Sequence, residues 1–164
     1  MLFVKKSTLP RAGKGLFTDI LIKKDTRVIE YLGEIITWAE AEKRDDQGKG
    51  GYVYYVTKYH CIDAYHHPEA LARYANDARG LTRKNGVRNN SYYATRGRRG
   101  YIIASRNIKP GEEIFVWYGD EYWKEWIESV NALKKKAQQQ KRKSANKKSR
   151  TELEFHHHPK RVAR

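Results

Sequence analysis

A mostly β, single-domain fold is predicted by three observations. Apolar residues come in short runs that alternate or stay continuous and then stop at glycines, prolines or charges. Helical periodicity is confined to a few stretches. Strands and helices do not alternate as a parallel βαβ sheet would require. In chain order, "GLFTDILI" and "TRVIEYLGEII" read as short strands. "TWAEAEKRDDQGKG" reads as a helix with a glycine stop. "YVYYVTKYHCIDAY" reads as two strands joined at Lys58-Tyr59-His60, and "HPEALARYA" as a short helix opened by its proline. "NSYYATRGRRGYIIASR" is a hairpin around Arg96–Gly100, and "NIKPGEEIFVWYG" a Pro-Gly turn feeding a strand. "DEYWKEWIESVNAL" is amphipathic, with Tyr122, Trp126, Ile127, Val130 and Leu133 at helical spacing.

The bulk properties exclude several classes. The 164 residues suit one domain with an appendage. No apolar run is long enough to span a membrane, and "MLFVKKSTLP" lacks the apolar core of a secretion signal. A single cysteine, Cys61, excludes an internal disulfide and a multi-cysteine zinc site. It reads as a small core residue in a chain from a reducing, intracellular compartment, in the cytoplasm or at chromatin or a nucleoid. No metal site is expected, the His156–His158 run included, because three adjacent side chains cannot share one ion with good geometry.

The net charge of +15 is unevenly spread. Residues 134–164 carry 12 Lys and Arg against 2 Glu, whereas residues 1–133 carry 22 basic against 17 acidic side chains. The tail is rich in Lys, Gln, Ser and Asn, with too little apolar surface to offset the entropy of ordering it. It reads as disordered beyond a helical start, and suited to nucleic acid or another acidic surface.

The stretch "EIFVWYGDEYW" holds five aromatics in eleven positions, with Tyr118 directly before Gly119. A core strand has no need of that break. Taken with "GKGLFT", "EYLGEIIT", "YVYYV…CIDA", "LARYANDARG", "RNNSYY" and "YIIASRNIKPGEEIFVWYG", the chain over residues 3–123 resembles a SET domain, the family of S-adenosylmethionine-dependent protein-lysine methyltransferases. The order and spacing of the segments carry the resemblance; Gly13-Lys14-Gly15 alone would be weak. It implies short antiparallel strands in small sheets, a few short helices, and a threaded, pseudoknot-like C-terminal segment. The domain would be residues 1–133, followed by the basic 134–164 tail.

The resemblance also implies roles. Tyr118 ends the motif whose last tyrosine is catalytic. Tyr31, Tyr93 and Val116 match positions lining the lysine channel. Lys14, Gly15 and Leu16 match the loop whose backbone holds the cofactor's methionine part. Tyr52, Arg73, Tyr74 and Asn76 match cofactor-binding positions, and Asn90 opens the following strand. Tyr122 or Trp123 would cover the adenine, as in minimal viral and bacterial-type members that lack cysteine-rich flanks. The pattern departs where Asn-His-Ser is replaced by Asn76-Asp77-Ala78, with Asp77 expected to serve the cofactor through its backbone. The insertion "RGLTRKNGV" lies between Asn76 and Asn90.

The residue types fit that chemistry. A lysine amine, with an ordinary pKa of about 10.4, must lose its proton to act as a nucleophile. An apolar channel disfavours the ammonium. Tyrosine rings exclude water while their hydroxyls orient the amine, and glycine admits close backbone approach. The substrate would be a protein with an accessible lysine. The alternative is a catalytically inactive module that binds nucleic acid through "RGLTRKNGVRNNSYYATRGRR", where seven Arg and Lys side chains accompany two tyrosines.

Overall fold

The computed structural model describes residues 1–79, 84–120, 122–124, 127–128, 131–132, 135, 137–140 and 143. The chain divides into two compact units, Met1–Tyr118 and Gly119–Arg164. In the second, the described residues between 120 and 143 are helical. Of the 134–164 tail, expected to be disordered beyond a helical start, residues 135, 137–140 and 143 are helical; its remaining residues, the His156–His158 run included, and positions Trp126, Val130 and Leu133 of the expected amphipathic helix lie outside the described residues.

In the first unit the elements run β1 (Leu2–Lys6), β2 (Lys14–Thr18), β3 (Arg27–Tyr31), β4 (Glu34–Ile36), α1 (Trp38–Asp46), β5 (Val53–Thr57), β6 (His60–Asp63), a single 3-10 turn (Leu71–Tyr74), β7 (Ser91–Arg96), β8 (Arg99–Ala104) and β9 (Glu113–Ile114). The strands form three small sheets, ordered β1-β2-β9, β3-β8-β7 and β4-β6-β5, with every pairing antiparallel. The mostly β fold expected from the sequence is therefore observed, as are the hairpins β5–β6 and β7–β8.

Three local details differ. Strand β1 was not anticipated, because Leu2-Phe3-Val4 is too short to show a period. Pairing with β2 defines it: Phe3 stacks on Phe17 at 5.8 Å, and the Lys5 ammonium lies 4.2 Å from the Phe17 ring centre. The helix expected from Pro68 shrinks to Leu71–Tyr74, since His67–Ala70 is taken up by consecutive turns. The last strand is also shorter than expected. After Ile114 the chain leaves β2 and makes parallel bridges instead, Phe115 to Asn76 and Val116 to Ser91. The Val116 amide donates to the Asn76 carbonyl at 2.9 Å, while the Phe115 carbonyl accepts from the Asn90 and Ser91 amides at 3.1 and 3.0 Å. The segment is thus gripped on both edges, by Asn76 on one side and by Asn90 and Ser91 on the other.

Helix α1 begins where Thr37 Oγ1 accepts the Glu40 amide. It buries Ala41 against Ile36 and Cys61. Arg44 ties it to the sheet, donating to Glu34 at 2.8 Å and to buried Asp63 at 2.6 Å. The Cys61 thiol is fully buried and its pKa is pushed up by that burial, so it is an inert core group. Beneath all three sheets lies one core that includes Leu16, Ile62, Ile102, Ile108, Ile114 and Val116.

Candidate active site

The segment that carries Tyr118 is positioned by polar side chains from distant parts of the chain. Asn90, fully buried, uses its side-chain amide as a piece of backbone: Nδ2 donates to the Glu113 carbonyl at 2.7 Å and Oδ1 accepts the Phe115 amide at 2.9 Å. The Ser91 hydroxyl donates to the Phe115 carbonyl at 2.8 Å. On the opposite edge, Asp77 Oδ2 accepts the Tyr118 amide at 3.0 Å, and the Tyr118 hydroxyl donates to the Ala75 carbonyl at 2.8 Å. Gly119 then adopts φ +98°, a left-handed conformation that side chains rarely tolerate. The Tyr-Gly break noted in the sequence is real.

The rings expected to line a channel come together. Tyr31 and Tyr93 meet edge-on at 6.0 Å, and Tyr93 stacks on Tyr118 at 6.5 Å with 21° between their planes. A fourth ring, Tyr54, completes the group. It lies 5.5 Å from Tyr31 and 5.1 Å from Tyr93. Its hydroxyl pairs with Thr95 Oγ1 at 2.9 Å, and its ring rests directly on Gly100. The sequence reading counted Tyr54 only as a strand former; its place two residues after Tyr52, on one face of a strand, was the available signal. The Tyr31 hydroxyl donates to the Tyr52 carbonyl at 3.0 Å. Val116 is fully buried and packs beneath these rings rather than presenting a surface. An open cleft of about 440 Å³ reaches Tyr31 from outside, bordered by Glu30, Leu32, Ile35 and Arg99.

The residues expected at a cofactor form a second cluster. Asn76 Nδ2 donates to the Lys14 carbonyl at 2.9 Å and to Glu113 Oε1 at 3.2 Å. The Arg73 guanidinium stacks 3.9 Å from the Tyr52 ring centre and 5.4 Å from that of Tyr74. Tyr74 is pinned by its hydroxyl to the Pro68 carbonyl at 3.0 Å. The loop expected at Lys14-Gly15-Leu16 is instead the start of strand β2: Leu16 sends its side chain into the core, the backbone pairs with β1, and the Lys14 carbonyl accepts from Asn76. Asp77 does more than its backbone: the carboxylate is almost fully buried and anchors Tyr118. Trp123 belongs to the second unit, where it meets Tyr122 edge-on at 5.1 Å.

Glu113 braces the second cluster through Asn76, and no role had been assigned to it. Its buried carboxylate accepts from the Ser7 hydroxyl, the Thr8 amide and the Thr8 hydroxyl, each at 2.7 Å, as well as from Asn76. It sits against Gly15, where any side chain would collide with it.

Two fit tests bear on a bound cofactor. Arg73 Nε is buried with no hydrogen-bond partner among the described residues, as suits a donor awaiting an anionic group. Asn76 donates twice through Nδ2, and among the described residues its Oδ1 is left able to accept. A donor suits a carboxylate and an acceptor suits an ammonium, the two charged groups of an amino-acid moiety.

This fold and site define a class: residues 13–119 match the SET domain, and the chain belongs to that family. Among curated proteins it is 32% identical over 117 residues to the N-lysine methyltransferase KMT5A-A of Danio rerio, covering 66% of this chain and 33% of that protein. It is 29% identical to the histone-lysine N-methyltransferase Set8 of Drosophila melanogaster, covering 66% and 16%. The chain spans about a third or less of those relatives. Among solved structures, an active polycomb repressive complex 2 in the basal state aligns with TM-score 0.60 and 29% identity, over 73% of this chain and 15% of that one. Among the described residues no helix is long and apolar enough to cross a membrane.

Proposed function

We propose that the chain is a protein-lysine N-methyltransferase that uses S-adenosylmethionine. The observation that carries this reading is the meeting of Tyr31, Tyr54, Tyr93 and Tyr118, four rings from four separate segments, beside a segment that ends in an acceptor-bearing asparagine. Its family membership supports it. When bound, S-adenosylmethionine would supply an electrophilic methyl group on a sulfonium. Arg73, Asn76 and the backbone of Lys14–Leu16 would hold its amino-acid end, and Tyr52 and Tyr74 would flank it.

The chain's own residues then have separable tasks. The four rings exclude water from the lysine side chain and disfavour its charged form, so that the neutral amine is available. Tyr118, held at both its amide and its hydroxyl, is the residue nearest the chemistry. The open cleft bordering Tyr31 has room for the polypeptide that carries the lysine. The net +10 of residues 134–164 supports docking on nucleic acid or another acidic surface, in a reducing intracellular compartment.

The test is a calorimetric titration with S-adenosylmethionine, followed by intact-mass spectrometry of lysine peptides and basic proteins incubated with the full chain. One site per chain and a gain of 14 Da steps in substrate, about the mass of a CH₂ and not of a larger group, are expected from the chemistry of methyl transfer. Tyr118→Phe deletes only the hydroxyl. It should retain cofactor affinity and lose most turnover, since that contact matters chiefly in the transition state. Absence of binding heat in the wild type under several buffers refutes the reading.

A further inference from the structure

We infer that Asp77 is the positioning residue for Tyr118: its carboxylate fixes the tyrosine's backbone so that the ring and hydroxyl stand where methyl transfer needs them. The inference rests on the lysine-methylation reading above.

The tripeptide Ala75-Asn76-Asp77 grips Tyr118 at both ends. The carbonyl of Ala75 takes the hydroxyl and the carboxylate of Asp77 takes the amide. Between them, Asn76 accepts the Val116 amide through its carbonyl and reaches the Lys14 strand through its side chain. One short segment therefore sets the tyrosine and the expected cofactor loop against each other.

The carboxylate is itself braced. It is 4% exposed. Its Oδ1 accepts from the Arg79 amide and from Asn89 Nδ2, both at 2.8 Å, while Asn89 Oδ1 accepts the Ala78 amide at 2.8 Å. Rotating the carboxylate would break three bonds at once. An anchor is needed at this point for a geometric reason. The parallel bridges stop at Val116, Trp117 is exposed, and the chain turns at Gly119. Tyr118 lies between the last ladder contact and a glycine. Among the described residues at least three N–H donors converge on the two oxygens of Asp77, an arrangement that suits two acceptor oxygens on one side chain. This is also where the sequence departs from the family's histidine, so the departure has a specific use.

The experiment is a double-mutant cycle in the full chain, using Asp77→Asn, Tyr118→Phe and the pair, with S-adenosylmethionine affinity by calorimetry and kcat on one lysine peptide by mass spectrometry. Asparagine must turn its NH₂ toward either the Tyr118 amide or the Arg79 and Asn89 donors. Asp77→Asn should lower kcat roughly tenfold to a hundredfold, the scale of a small misplacement at a reacting group. Cofactor affinity should stay within about threefold, the noise of an untouched site. In the Tyr118→Phe background the same change should add almost nothing, because both act through one hydroxyl. Adding Asn89→Asp to Asp77→Asn moves the charge across the same hydrogen bond and should recover part of the lost turnover.

Fully multiplicative losses would overturn the inference, as would a loss confined to cofactor affinity or a folded exchange pair with no recovery. If Asp77→Asn does not fold, Asn89→Ala takes its place in the cycle, since it loosens the same carboxylate and leaves the Tyr118 acceptor present; multiplicative losses there overturn the inference equally. Wild-type turnover, and its loss in Tyr118→Phe, test the methylation reading separately. An inactive wild type would overturn both.

Discussion

Replacing Glu113 by Gln should destabilise the domain by about 2 kcal/mol and weaken the cofactor side of the site with it. The substitution keeps volume and shape, so it isolates the number of acceptors. The carboxylate receives four hydrogen bonds, from Ser7 Oγ, Asn76 Nδ2, the Thr8 amide and Thr8 Oγ1. The two hydroxyls can rotate and accept from a glutamine NH₂. The Asn76 amide and the Thr8 N–H cannot, and they contact different oxygens. One of them must therefore face another donor, and a buried unsatisfied donor costs about 1–3 kcal/mol. The remaining bonds lose their charge assistance, worth roughly a further 1 kcal/mol, which relief from burying a charge offsets in part. With an m-value of about 1–3 kcal/mol/M for a domain of this size, the urea midpoint should fall by roughly 1 M. Equilibrium urea denaturation followed by tryptophan fluorescence measures this, and calorimetry reads the effect on cofactor affinity through Asn76. A midpoint unchanged within error would show that the site holds a protonated acid or makes fewer bonds than described. The reasoning about acceptor number would then be wrong.

Gly100→Ala places a methyl 2.6 Å from Tyr54 Cε1 and so pushes that ring out of the aromatic group; kcat/KM on a lysine peptide should drop at least several-fold, on the scale of a misplaced binding group, with cofactor affinity retained. Tyr93→Phe should keep the first methyl transfer and raise the share of products with two or three methyls, read as a time course by intact mass, with the wild type making mostly lower states. An unchanged product distribution would remove Tyr93 from that role. Removing residues 134–164 should weaken binding to DNA and flatten its dependence on salt, because fewer phosphates are neutralised. Turnover on a short peptide should survive, since Tyr118 and its neighbours lie before the truncation.

Much of the candidate site could be picked out because the chemistry proposed for it uses conspicuous residue types. A tyrosine before a glycine at a strand end, an asparagine after a short turn, and strands bounded by glycine and proline are local features, and the β-rich fold and the family could be read from their order. The uneven charge was equally plain from composition. Tertiary structure decided the partnerships. Tyr54 is an ordinary strand residue until Gly100, 46 positions later, leaves room for its ring. Glu113 looks like a surface charge after a Pro-Gly turn; it is buried because Ser7 and Thr8, more than a hundred residues earlier in the chain, supply donors. Asp77 was expected to act through its backbone alone, and its carboxylate accepts the Tyr118 amide. Strand β1 exists because β2 pairs with it. Periodicity and turn chemistry are properties of neighbours in the chain, whereas hydrogen-bond satisfaction and ring packing depend on groups that only the folded chain brings within a few ångströms.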